Sequence, residues 1–392
     1  MQRATVKKSA LVLSFSLAAV IQPTIVLAAS SDTNTRQFTR WDYYSYKYAG
    51  NNLQRKVLPS ENMTNCNPCS WTKKDIRTAK AFDPIRAQAF AEIKRFGKNK
   101  KPELSEINWL FSKNVQPSLV KMYKKLNTDS LNYWHAEIRD PIPYRMIVGT
   151  EKDRDEVKAN LAETEGGLES LEGMNRFFDR YANLKDYEKV RPVGGGSPRR
   201  DKLITSNQDV YLVTYHVGSF TTDQKVFVTT PAHEITHVLQ TNRSNNVGYN
   251  NKMPASLWEG SAVLFGSGIP MPNVAWYSDE LDHQLQRFFS NYATKVKMNT
   301  ESDAVNLLLK AEKTNSDMSV EAGYYIGAIL FEYLIAKYGV QKFLDLVDAT
   351  GTETSFDNAL LKAYGQNKKE IYQKSAPYVL KTYQRVLKVF NN

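Results

Sequence analysis

Residues 229–242 read TTPAHEITHVLQTN, and two of the chain's five histidines flank a glutamate there in the order His233-Glu234-x-x-His237. Thr230 can cap a helix and Pro231 can take its first position, so the stretch starts a helix where local chemistry favours one. At 3.6 residues per turn, His233 and His237 then share one face about a turn apart. Two imidazoles so spaced can reach one tetrahedral zinc ion at ~2.0–2.1 Å, although an ordinary amphipathic helix could carry the same residues. With so few histidines, chance produces this pattern on the order of once in a few hundred such chains. A fold that uses it must deliver a third ligand from another element.

LWEGSAVLFGSG, residues 257–268, offers Glu259 in an otherwise apolar helical stretch, where a buried unpaired acid would be costly. The competing reading is a lone acid at an exposed helix position. Two histidines and one glutamate leave a fourth coordination position open, the arrangement of a catalytic rather than a structural site. Zinc lowers the pKa of a bound water toward ~7, and Glu234, next to a ligand, stands where a general base is needed. Those residue types point to amide hydrolysis with about one Zn²⁺ per chain.

HEITH followed some twenty residues later by WEGSA resembles the gluzincin zinc metallopeptidases, whose pattern is HExxH and then a glutamate in an E-x-x-A-type helix. EAGYYIGAILFEYLIAKYG, residues 321–339, is similar to that family's Y-x-x-G helix, and residues 355–383 are similar to the terminal helices of peptidase-MA-like domains. The resemblance spans roughly residues 144–383. It implies an α+β fold, with a small β-sheet subdomain and a mostly helical C-terminal subdomain, preceded by a helical N-terminal region. It also implies His233, His237 and Glu259 as metal ligands, Glu234 as base, and Tyr324 as donor to the developing oxyanion, with Tyr325 as the neighbouring alternative and a plain core aromatic as another. Ile326, Leu330, Tyr333 and Leu334 form the core-facing stripe of that helix. Two departures are informative. Gly173-Met174-Asn175 is the nearest likeness to the aminopeptidase G-x-M-E-N element but lacks its glutamate, which argues against an exopeptidase of that branch. Val263 stands where the thermolysin-like branch has an aspartate, leaving the group that orients the imidazoles unassigned.

Residues 1–28 read as a secretory signal peptide: Arg3, Lys7 and Lys8 precede an apolar run, and small residues around Ala28 offer a cleavage site. Ser14, Ser16 and Pro23 interrupt the run, so a cleaved leader is expected rather than an anchor, and the protein is expected to be secreted or periplasmic with no membrane span. Cys66 and Cys69, the only two cysteines, then suit a short-loop structural disulfide. The net charge of +11 is dispersed among many acids, which reads as a solvated basic surface with an anionic envelope surface as the alternative; the expected partner is a peptide or protein substrate, with no nucleic acid.

Three regions are expected: the leader; a mainly helical stretch 29–139, opening on the aromatic and basic residues 36–56, which lack a clear period; and a peptidase-like domain 140–392. In the last, the sheet and metal helix occupy 140–250 and helices fill 251–392. Strands are expected at 144–149, 209–217 and 224–228, the second offering an edge to an extended peptide, with Gly194 to Gly196 in a flexible loop between the first two. In SFDNALLKAYG, apolar residues at helical spacing end on Gly365, a C′ glycine. The reading is an exported zinc endopeptidase. A non-catalytic envelope protein and a zinc amidase acting on cell-wall peptides are the alternatives.

Overall fold

The computed structural model describes residues 44–49, 52–57, 83–98, 106–139, 141–183, 194–219, 228–245, 247 and 252–390. The expected leader, the Cys66–Cys69 disulfide and residues 224–227 of the expected third strand lie outside them.

The first described element is an antiparallel hairpin, β1 (Tyr44–Ala49) and β2 (Asn52–Val57). It corrects the reading of residues 36–56 as aperiodic. Tyr44, Tyr46 and Tyr48 alternate with Ser45 and Lys47, a period of two, and only Gly50 and Asn51 separate the strands.

Helix α1 (Pro84–Gly97), strand β3 (Ile107–Phe111) and helix α2 (Pro117–Trp134) follow. Then come β4 (Tyr144–Thr150), α3 (Arg154–Leu161), α4 (Gly167–Ala182), β5 (Gly194–Lys202) and β6 (Asp209–Val217). The four strands make one mixed sheet in the order β3-β4-β6-β5, with β5 antiparallel at an edge and the other three parallel. The fold is therefore α+β. The expected boundary at residue 140 falls between two paired strands, since β3 lies ahead of it and β4 behind.

The central strands are apolar on both faces, as strands covered from both sides must be. Met146, Val148, Val213 and Tyr215 join the main core, while Ile147 and Leu212 pack with Val157, Leu161, Met174 and Phe178 of α3 and α4 on the other face. Met174, in the Gly173-Met174-Asn175 stretch, is thus spent on packing.

Two findings correct the strand readings. Gly194 to Gly196 begin β5 rather than forming a loop, because pairing along β6 supplies the order that glycine's weak strand preference withholds. In consequence β6 is internal, and among the described residues the edges of this sheet are β3 and β5.

The remainder is helical: α5 (Thr230–Arg243), α6 (Ala255–Gly268), α7 (Val274–Asn291), α8 (Glu301–Ala311), α9 (Asp317–Thr352), α10 (Phe356–Tyr364) and α11 (Lys368–Phe390). Helix α9 runs through the core, burying Ile326, Leu330, Tyr333 and Leu334 as the stripe requires, and breaks at Gly339, where φ is +80°. Helix α10 buries Phe356, Ala359, Leu360, Ala363 and Tyr364 and ends on left-handed Gly365, matching its sequence pattern. Among the described residues no helix is long and apolar enough to cross a membrane.

Candidate metal centre

Helix α5 begins one residue earlier than its sequence suggests. Thr229 is the cap residue and makes no side-chain cap bond, so Thr230 lies inside the helix, while Pro231 keeps its place in the first turn. One turn apart, the rings of His233 and His237 stand nearly perpendicular at 4.7 Å. Helix α6 packs against α5 and brings Glu259 to both. Three distances define the group: 3.1 Å between the two Nε2 atoms, and 3.3 and 3.2 Å from Glu259 Oε2 to Nε2 of His233 and His237. Tetrahedral ligands at 2.0–2.1 Å from one ion would stand about 3.3 Å apart.

Protons decide what this cluster is. Gln240, one turn beyond His237, donates its amide to the carbonyls of Leu257 and Trp258 and to Ser261 Oγ, at 3.1, 3.0 and 2.8 Å. Its Oε1 is left to accept, and it lies 2.7 Å from His237 Nδ1, which fixes the proton on Nδ1 and turns the Nε2 lone pair inward. His233 donates in the same way to the backbone carbonyl of Ala262. Two imidazole Nε2 atoms and a carboxylate oxygen therefore converge in a buried space. Three ligand atoms so close together need a cation to join them, a proton or a metal ion, and their types and spacing fit a metal ion. Gln240 fills the orienting role that Val263 could not. Its sequence signal was an amide on the same face of the helix, three residues past His237.

Glu234 is buried beneath β5 beside this group. Burial, reinforced by the Glu259 charge, pushes its carboxyl up to about 8, while His237 and the Gly196 amide pull the other way. Burial acts to raise Glu259 as well, but the two imidazoles overcome it and hold that carboxyl at about 2. Two acids one helix apart are thus driven in opposite directions by their surroundings.

The α6–α9 crossing supplies the remaining side chain. A Cβ at Gly260 would lie 2.5 Å from the Gly327 backbone, and one at Gly327 would lie 2.6 Å from the Ser256 carbonyl, so the helices touch backbone to backbone. Glu259 precedes the first glycine by one residue and Tyr324 the second by three, which is how the crossing brings them together. The Tyr324 hydroxyl hydrogen-bonds Glu259 and its ring lies parallel to His233 at 6.1 Å. Tyr325 turns away, toward Phe288. His237 is backed by Trp258, stacked at 4.4 Å. The structure thus brings His233, Glu234, His237, Glu259 and Tyr324 to one place.

The outer edge of β5, which pairs with no described strand, runs beside the group. Leu203 N–H bonds inward to Gln208, whereas Lys202 C=O and Ile204 N–H bond outward to Glu165 and Glu163. With unbroken register along β5, even-numbered residues face outward, and Pro198, which has no N–H to give β6, falls on an even position. From Gly194 to Arg200 this edge is free of the turn that covers it beyond Lys202. No protein-family model, curated protein or solved structure matches the chain.

Proposed function

We propose that this chain is an exported zinc-dependent endopeptidase of gluzincin type. The observation that carries the reading is the convergence of His233 Nε2, His237 Nε2 and Glu259 Oε2, all buried and 3.1–3.3 Å from one another, next to the buried Glu234 carboxyl, which is not one of the three. His233, His237 and Glu259 would hold the ion, one per chain, and an ion so held polarises a carbonyl oxygen and makes water a stronger acid.

The chain's own residues do the rest. An extended peptide adds to the outer edge of β5, its backbone pairing with the carbonyls of Gly194, Gly196 and Pro198. Glu234, held beneath that edge and ionised when a cation in the site offsets its burial, would take the proton of the attacking water and pass it to the departing amine nitrogen. Tyr324 gives up its bond to Glu259 and donates to the oxygen on which charge develops. Packing of Trp258 behind His237 keeps the imidazole in its orientation.

Elemental analysis of protein purified without added metal is expected to find about one zinc per chain, lost in His233→Ala. Glu234→Gln is expected to keep the zinc yet cleave a mixed peptide library at least ~10²-fold more slowly, because it removes the base and leaves every ligand. Wild-type turnover in Glu234→Gln, or full zinc content in His233→Ala, would overturn the assignment.

A further inference from the structure

We propose that Gly196 is the positioning residue of the site: the backbone of β5, bare of a side chain at that point, bears on the Glu234 carboxylate and fixes where it stands. The inference rests on the reading of Glu234 as the base.

A Cβ on residue 196 would lie 2.5 Å from Glu234 Cγ, 2.8 Å from Cδ and 2.9 Å from Oε1, closer than side-chain atoms tolerate. The carboxylate therefore occupies the space that any other residue at 196 would fill. Residue 196 is also an outward-facing position, so its N–H is not needed by β6, and it donates to the Glu234 carboxylate. No side chain among the described residues hydrogen-bonds Glu234, and its Oε2 has no partner. One oxygen is thus held by the strand and the other is left for a proton.

A glutamate has three rotatable side-chain bonds, and a base displaced by ~1 Å can lose ~10²-fold in rate. Contact with a sheet strand removes that freedom without a second side chain, and a strand is a stiffer support than a loop. The same contact ties the base to the strand on which the peptide is laid, so substrate backbone and base share one frame. This accounts for glycine at a strand position that disfavours it.

The test is a double-mutant cycle of Gly196→Ala and Glu234→Ala, read by thermal unfolding with zinc content measured on each protein. Gly196→Ala is expected to lower Tm by roughly 2–6 °C where Glu234 is present, since overpacking a buried contact is destabilising, and by under about 1 °C in the Glu234→Ala background, where the clashing atoms are gone. Equal losses in both backgrounds overturn the proposal. Should Gly196→Ala alone fail to fold, a folded double variant supports the contact and an unfolded one overturns it. In the kinetic arm, Gly196→Ala with its zinc retained is expected to lose on the order of 10²-fold in kcat with KM within about threefold, and a loss confined to KM overturns the positioning role. If the wild type cleaves no peptide while the thermal cycle shows coupling, the contact stands and the peptidase reading falls.

Discussion

Two clusters of buried charge stand in this helical core, and they differ in whether their acceptors are met by donors. In the first, Glu332 of α9 accepts from Arg86 Nε and Nη2 at 2.9 and 3.1 Å, from Tyr277 at 2.7 Å and from Tyr378 at 2.6 Å, while Asp282 accepts from Arg86 and Arg385. Every carboxylate oxygen has a donor, and α1, α7, α9 and α11 are tied at one point. In the second, His233, His237 and Glu259 turn two ring nitrogens and a carboxylate oxygen on one another, 3.1–3.3 Å apart, with no arginine or lysine among them. A network whose carboxylates are all met by donors is glue, whereas ligand atoms turned on one another can take up a cation.

The sharpest way to break this comparison is to unbalance the first cluster. Glu332→Ala takes from Arg86 one of its two carboxylate partners and from two buried tyrosyl hydroxyls their acceptor, and is expected to cost about 3–5 kcal/mol, seen as a lowered urea midpoint, with zinc content of the folded protein unchanged. A cost below about 1 kcal/mol, or loss of zinc, would mean that the clusters are not separate in kind.

Next in size is Tyr324→Phe, which leaves His233, His237 and Glu259 intact and, on the proposed function, is expected to lower kcat by on the order of 10²–10³-fold with zinc retained. Tyr325→Phe, altered on the Phe288 side, is the control. Equal effects of the two would assign the loss to packing.

The smallest expected effect sharpens the proton argument. Gln240→Leu removes the acceptor that fixes the His237 tautomer and is expected to weaken zinc binding by about 10–100-fold, measured by competition with a chromophoric chelator. Unchanged affinity would show that the tautomer needs no such partner.

Local chemistry carried much of this in the sequence. The spacing of His233 and His237 and the apolar face of α10 with its Gly365 stop depend on residues within a turn or two, so they were legible. Glu259 and Tyr324 were legible through motifs whose glycines, Gly260 and Gly327, prove to be the helix crossing itself. What escaped depends on neighbours distant in the chain. Gly194 to Gly196 have no preference for a strand until β6 lies beside them. β6 looked like an edge because nothing local reveals the partner on its other side. Gln240 gains its meaning only when the Leu257 and Trp258 carbonyls arrive to occupy its amide.

The β5 edge has a further consequence, for the behaviour of whole molecules toward one another. An uncovered strand invites the strands of other copies, and a row of free amides and carbonyls is what makes the invitation productive. Here Glu234 holds the outward amide of Gly196, and Pro198 has none to offer. Two consecutive rungs of the ladder are missing on the donor side. A peptide that supplies its own amides can still dock, but a second copy of β5, bringing the same shortage, finds carbonyls facing carbonyls. The edge can therefore stay open to a transient guest without nucleating a fibre.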